Sequence, residues 1–123
     1  MTFFNLHHPR ALMPLLEGHS TYTLFSFCIS DSGHEIKKLL PPHKTTPVRC
    51  GVSIHTPARH VGLVCSRSAL ASSGVFIADS PRILSGPSED ELILSMFNGS
   101  DDARYVEHGM PIAHFLILPL LAA

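Results

Sequence analysis

Two hydroxyl side chains flank an arginine directly after an apolar stretch of the sequence. Ser66, Arg67 and Ser68 follow residues 61–65 (VGLVC), which we predict to be a short buried strand. The guanidinium offers a fork of hydrogen-bond donors and the serines add hydroxyl donors, so the triplet could hold a phosphate group. The alternative is a capped helical turn that leaves Arg67 in solvent, and the local sequence alone favours this alternative.

The nine histidines raise the possibility of a metal site. His55 and His60 flank a turn, and His108 and His114 bracket a glycine. Neither spacing matches an HExxH motif or a zinc finger, so we expect scattered histidines and no metal site.

The three cysteines are an odd number and lack a CxxC spacing. Free thiols in a reducing compartment are therefore expected. Cys65 ends an apolar run without an assigned base, which favours an inert buried thiol over a nucleophile. The apolar runs at the two ends are too short for a signal peptide or a membrane span. Together these features predict a soluble intracellular, cytoplasmic protein.

Length and composition restrict the class of protein. A chain of 123 residues is expected to form one domain, 1–123, with a single core. Apolar residues make up 45% and charged residues 15%, which excludes disorder. The net charge of −1 argues against binding nucleic acid by bulk charge.

Short apolar runs broken by glycine and proline predict an all-β domain with at most one short helix. Residues 92–97, 105–106 and 111–118 are expected to form its central strands, and Asn98-Gly99 predicts a tight turn after the first. Residues 1–10 are expected to be a flexible arm, residues 79–90 a long polar loop, and residues 66–74 the one helical turn. Further strands are expected at residues 11–16, 22–29, 46–54, 61–65 and 75–77.

Four segments in one collinear order resemble the dUTPase family. Residues 67–71 (RSALA) resemble its Arg-Ser-Gly-Leu-Ala motif, and residues 90–98 (DELILSMFN) resemble its Gly-Glu-Val-x-Val-x-Leu-Phe-Asn strand. Residues 109–114 (GMPIAH) resemble Gly-Asp-Arg-Ile-Ala-Gln, and residues 41–43 (PPH) also fit. The resemblance covers residues 11–119. It implies a jelly-roll-like β-barrel of the β-clip type, a homotrimer that builds each site from several subunits, and phosphate contacts from Arg67 and Ser68.

The sequence departs from this family where the family performs its chemistry. The family activates water with the Asp of a Gly-Val-Ile-Asp segment, and here residues 82–85 read RILS. Ser88 falls at the position of a Tyr that packs on the deoxyribose, and Thr23 occupies an early Asp position. Serine has no carboxylate to act as general base near neutral pH. The resemblance therefore implies no catalytic residues, with Arg67, Ser68, Ser85 and Ser88 as vestigial pocket positions. The glycine-rich C-terminal arm of the family is also absent from this sequence.

A group of inactive dUTPase-like proteins, encoded by the first open reading frame of adenovirus early region four, is similar in further segments. Residues 11–20 (ALMPLLEGHS), Val75-Phe76 and Glu91-Leu92 carry this similarity. It implies a viral early protein that binds host signalling proteins, including phosphoinositide 3-kinase. That group also reaches PDZ domains through a Ser/Thr-x-Val tail. This sequence ends LLAA, so we expect no PDZ binding by that mode.

Three functions follow from these resemblances. The first is a catalytically inactive adaptor for host proteins. The second is a divergent dUTP diphosphatase with Arg67 and Ser68 on phosphate, Asp79 or Glu89 recruited as base, and magnesium as its cofactor. The third is a nucleotide-binding module without turnover. Loss of the base favours the adaptor, for which no cofactor is expected.

Overall fold

Antiparallel β-strands make up most of the computed structural model, which describes residues 3–121. Within that range the chain forms twelve strands and one four-residue helix, so the prediction of an all-β fold with at most one short helix is confirmed. The elements are β1 (Phe4–Leu6), β2 (Leu15–Glu17), β3 (Thr21–Phe25), β4 (Lys38–Leu40), β5 (Lys44–Arg49), β6 (Val52–Ile54), β7 (His60–Ser66), α1 (Ser68–Ala71), β8 (Val75–Ile77), β9 (Arg82–Leu84), β10 (Ile93–Asn98), β11 (Arg104–Val106) and β12 (Pro111–Pro119).

A five-stranded antiparallel sheet in the order β2-β3-β12-β7-β9 carries the longest strand at its centre. β12 places Phe115 in the core, opposite Val64 of β7. Gly62 of β7 is required beside that ring, because a Cβ atom there would lie 2.7 Å from Cε1 of Phe115. On the other face Leu63 is paired with Ile83, which remains 68% exposed. One face of this sheet therefore packs in the core, and the other contributes to the surface.

A three-stranded sheet in the order β5-β10-β8 closes the other side of the core. Alternate residues of β10 are buried, with Leu94 and Met96 fully inside, as the period of two requires. Two small sheets, β1-β6 and β4-β11, complete the barrel.

The expected tight turn at Asn98-Gly99 does not join paired strands. β10 pairs with β5 and β8, whereas β11 pairs with β4. Asn98 is fully buried, and its amide donates to the carbonyls of Leu40 (2.9 Å) and Asp102 (2.8 Å). Its Oδ1 accepts from the backbone N–H and the hydroxyl of Ser100. The side chain of Asn98 thus holds the loop that connects two sheets, and the Asn-Gly dipeptide alone does not predict this role.

Three further expectations are corrected by strand pairing. The arm expected at residues 1–10 contains β1, which pairs with β6 and buries Phe4, while Met1 and Thr2 lie outside the described residues. The strand expected at residues 46–54 is divided at Gly51, where φ is +72°. The polar loop expected at residues 79–90 contains β9, which pairs with β7 and so belongs to the five-stranded sheet.

No helix within residues 3–121 has the length and apolar character needed to cross a membrane.

Candidate functional site

Arg67 lies at the junction of β7 and α1, where its side chain turns back onto the five-stranded sheet. Its backbone is extended and precedes the first helical residue, Ser68. Arg67 Nη1 donates to the hydroxyl of Thr23 on β3 (3.3 Å), and that hydroxyl donates to Glu17 Oε1 on β2 (2.6 Å). Because Thr23 is fully buried, its hydroxyl needs partners within the protein, and it links the guanidinium of Arg67 to the carboxylate of Glu17.

His114 lies on the same sheet face as this chain of bonds. It is directly opposite Thr23 on one side and Cys65 on the other. The buried Nδ1 of His114 has no hydrogen-bond partner among residues 3–121. We call Glu17, Thr23, Arg67 and His114 the Arg67 cluster. No chemical motif in the sequence marks Glu17, while His114 ends the 109–114 segment that resembles the family.

The helical turn expected at residues 66–74 is present as α1, but no side chain caps its N-terminus. At its C-terminal end the hydroxyls of Ser72 and Ser73 donate to backbone carbonyls of the turn (2.9 and 2.7 Å). The N-cap position belongs to Arg67, without a side-chain cap bond. Ser66 is used elsewhere, because its hydroxyl accepts the N–H of Ile77 (2.9 Å) and its own N–H donates to Ser80 Oγ (3.1 Å). Ser68 is exposed. Within the triplet, the hydroxyl of Ser66 is therefore bonded to another strand, Arg67 is bonded to Thr23, and Ser68 is exposed.

Ser85 and Ser88 line a cavity of about 330 Å³ that lies along β9. We call it the Ser85 cavity. Ser85 directly follows the strand, and Ser88 Oγ accepts the N–H of Asp90 (3.3 Å). The lining residues come from β6, β9 and the segment before β10: Ile54, Arg82, Ile83, Leu84, Ser85, Gly86, Ser88, Asp90, Glu91 and Leu92.

Two carboxylates line the Ser85 cavity, and one of them is already paired. Glu91 accepts two hydrogen bonds from the Arg49 guanidinium (2.9 and 2.7 Å) and one from the N–H of Gly51 (3.3 Å). Burial alone would raise the pKa of Glu91, but the hydrogen bonds and charge of Arg49 outweigh it, so the pKa is lowered. Glu91 therefore stays ionised and bonded at neutral pH, which leaves Asp90 as the carboxylate without a side-chain partner at this cavity.

The expected site residues fall into two separate groups within one chain. Ser85 and Ser88 lie together in the cavity, whereas Arg67 and Ser68 are not among its lining residues. Asp79 and Glu89, which the sequence offered as recruited bases, do not line it either.

The remaining candidates from the sequence are a histidine metal site and a reactive cysteine. No group of three or more His, Cys, Asp or Glu side chains within residues 3–121 is placed to hold a metal ion. The three cysteines are free, as predicted, and burial raises the pKa of Cys28 and brings that of Cys50 to about 12. Cys65 is half-buried instead of fully buried, because it lies on the outer face of β7.

Several known proteins that are similar to this chain in sequence or structure are dUTPases. No family model matches the chain. It is 26% identical over 119 residues to the deoxyuridine 5'-triphosphate nucleotidohydrolase of Picosynechococcus sp., a match that covers 93% of this chain and 77% of the relative. The dUTPase of Streptococcus mutans superposes with a TM-score of 0.83 at 18% identity, covering 99% of this chain and 98% of that one. The dUTPase of Staphylococcus bacteriophage 80alpha superposes with a TM-score of 0.80 at 19% identity, covering 98% and 90%.

A variant dUTPase of phage phi11 of S. aureus, described with a structural Mg(II) ion, gives a TM-score of 0.81 at 17% identity over 98% of this chain and 91% of that one. At these identities the superpositions establish the fold and nothing finer. The chain has the dUTPase fold, and the predicted jelly-roll-like barrel is confirmed.

Proposed function

We propose that this chain is a catalytically inactive dUTPase-like protein that serves as a binding adaptor. One observation carries the proposal: Ser85 directly follows β9 and lines the cavity, at the position where the resemblance places the family's catalytic Asp. A serine hydroxyl cannot accept a proton from water near neutral pH. Loss of a general base costs about 10²–10⁴ in rate.

The neighbouring carboxylates do not replace that base easily. Glu91 is held by Arg49 and Gly51, and its lowered pKa makes it a weaker base than an ordinary carboxylate. Asp90 lines the cavity, but it is exposed and no hydrogen bond orients its carboxylate in the described residues. A general base must be held within reach of its water, so Asp90 alone supports the enzyme alternative weakly.

The Arg67 cluster supports a second candidate, a nucleotide-binding module without turnover. Arg67 Nη1 is bonded to Thr23, yet a guanidinium has five N–H donors, so others remain for a phosphate oxygen. Ser68 is exposed beside it. A magnesium ion that accompanied the nucleotide would depend on its phosphates, because the described residues supply no group of three protein ligands.

A homotrimer is part of the proposal. In a single chain the Arg67 cluster and the Ser85 cavity are separate, and the resemblance implies sites shared between subunits. The outer face of the five-stranded sheet, where Leu116, Leu63 and Ile83 form one row across β12, β7 and β9, could be covered by another copy.

The partners we propose are host signalling proteins of a cell that the source virus infects, with phosphoinositide 3-kinase as the first to test. Support comes from the similarity of residues 11–20, Val75-Phe76 and Glu91-Leu92 to the adenovirus group described above.

Two assays separate the alternatives. The purified protein is incubated with dUTP and magnesium, and pyrophosphate is measured for the wild type, Arg67→Ala and Asp90→Asn. We expect background rates for all three, together with capture of phosphoinositide 3-kinase from cell lysate. Turnover that Arg67→Ala abolishes would refute the inactive assignment, and turnover that Asp90→Asn abolishes would identify the recruited base. Nucleotide binding without turnover would select the binding module.

A further inference from the structure

His108 joins two segments that are far apart in the sequence. Its Nδ1 accepts the backbone N–H of Cys28 (3.0 Å), and its Nε2 donates to the carbonyl of Arg10 (3.0 Å). The ring packs edge-on against Phe27, with centroids 5.5 Å apart. One imidazole thus ties the segment before β2 to the segment after β3.

The partners of His108 fix its protonation state. A backbone N–H can only donate and a carbonyl can only accept, so Nδ1 must be bare and Nε2 must carry the proton. The bonds therefore need the neutral ring. A proton added at Nδ1 would remove the acceptor of the Cys28 N–H and set two donors against each other.

His8 repeats this requirement on the other side of Phe27. Its Nδ1 accepts the backbone N–H of Arg10 (3.0 Å), so it too must be unprotonated at that atom. Its ring lies 4.9 Å from the Phe27 centroid. Two histidines therefore bond the backbone of Arg10, one through its N–H and one through its carbonyl.

We infer that His8 and His108 form a clasp that holds residues 8–11 against Phe27 while both rings are neutral, so that mild acid releases these contacts and leaves the segment attached through the bond from Arg10 Nη1 to the carbonyl of Gly33 (2.6 Å). Histidine is the side chain whose charge ordinarily changes between about pH 5 and 8. The clasp is independent of the Arg67 cluster and of the Ser85 cavity.

The charges around the clasp are nearly balanced while the rings are neutral. Arg10 is paired with Glu35 (3.3 Å), and Lys37 with Glu107 (3.3 Å). Each of these carboxylates is thus beside a cation, and Arg49 is likewise paired with Glu91 (2.7 Å), so a new imidazolium would add net positive charge to this region. The remaining groups facing the clasp are the Arg49 guanidinium, which lies 4.6 Å above Phe27, Lys38, and the Cys28 thiol, which burial keeps neutral by raising its pKa.

Release of the clasp would expose apolar surface. Ala11, Phe27 and Ile29 form a small buried cluster apart from the main core. Ala11 is tightly seated, because a Cβ added at Gly51 would lie 2.7 Å from its own Cβ. Phe27 and Ile29 also line a cavity of about 130 Å³. Acid would thus convert a covered apolar cluster into an accessible one.

The test measures the clasp directly by NMR on the full chain. Imidazole nitrogen shifts report the tautomer of His108, and amide exchange reports the Cys28 N–H at about pH 7.5 and about pH 5.0. We expect an Nε2–H tautomer at the higher pH and a fall of about tenfold in the Cys28 protection factor at the lower pH, as loss of one buried hydrogen bond predicts. Binding of a hydrophobic dye should rise over the same range.

The matched variants are His108→Asn, whose amide oxygen can accept from Cys28 at any pH, and His43→Asn. His43 is bonded to Asp101 (2.8 Å), a contact that protonation would strengthen, so this control should keep the wild-type fall in protection. His108→Asn should abolish the fall. An unchanged protection factor in the wild type, or an Nδ1–H tautomer at about pH 7.5, overturns the inference even if the variant fails to fold.

Discussion

The Arg67 cluster and the Ser85 cavity differ in what their polar groups are bonded to. In the cluster, a guanidinium, a hydroxyl and a carboxylate are bonded to one another on neighbouring strands of one sheet. In the cavity, Glu91 is bonded outward to Arg49 and Gly51, and the two exposed serines bond no neighbouring strand, since Ser88 accepts only the N–H of Asp90 within the described residues. In the inactive protein that we propose, the cluster would still bond neighbouring strands to one another, whereas a base on the loop after β9 would have no such structural role.

Removing the charge of Glu91 should have the largest effect on stability. Glu91→Gln loses charge-assisted bonds to Arg49 and leaves a partly buried guanidinium without its partner, at a cost of about 2 kcal/mol in the free energy of unfolding. Chemical denaturation measures this value. Asp90→Asn, one residue away and exposed, is the matched control and should change it by less than about 0.5 kcal/mol.

The pH dependence of stability should identify the same ion pair. Because the pKa of Glu91 is lowered by folding, its contribution is present above the ordinary carboxyl range and is lost as the pH falls through the lowered value. The difference in unfolding free energy between wild type and Glu91→Gln should therefore shrink on acidification. A difference that stays constant down to about pH 2 would contradict this account of the cavity.

A substitution within the Arg67 cluster should lower the free energy of unfolding by less than Glu91→Gln does. Thr23→Val keeps the shape but removes the hydroxyl that donates to Glu17 and accepts from Arg67, which should cost about 1 kcal/mol. Thr45→Val on the exposed part of β5 is the control and should be nearly neutral. Equal effects of the two substitutions, measured by denaturation, would show that the cluster has no structural role.

Arg67→Ala should have the smallest effect on stability, below about 1 kcal/mol, because its bond to Thr23 is single and long. If the cluster still binds phosphate, the same substitution should abolish binding of a non-hydrolysable dUTP analogue, as measured by calorimetry. Loss of stability well beyond this value would show that Arg67 is retained for folding alone.

Local sequence patterns correctly predicted the elements whose conformation depends mainly on residues that are close in sequence. Residues 75–77 and the turn containing α1 are examples, since alternation and helical propensity act over a few residues. β9 was not predicted because its three residues are held by pairing with β7, and a stretch of three residues is too short to show a period of two in the sequence. The hairpin turn predicted at Asn98-Gly99 was wrong because the amide of Asn98 donates to the carbonyl of Leu40 in another sheet. A dipeptide pattern carries no information about so distant a partner.

The candidate site shows the same limit. The resemblance to the dUTPase family was enough to predict Arg67, Ser85 and Ser88 as pocket positions. The pairing of Glu91 with Arg49 is separated by 42 positions in the chain, and the bond from Arg67 to Thr23 by 44. Which carboxylate is bonded and which is free therefore depends on the packing of distant strands, and only the structure supplies it.

A single-turnover experiment, with protein in excess over radiolabelled dUTP and magnesium present, tests the central claim most directly because it detects one slow event per site. The account predicts that the labelled dUTP decays at the rate measured without protein. Conversion to dUMP and pyrophosphate at a rate that increases with protein concentration, and that Asp90→Asn or Arg67→Ala removes, would contradict it.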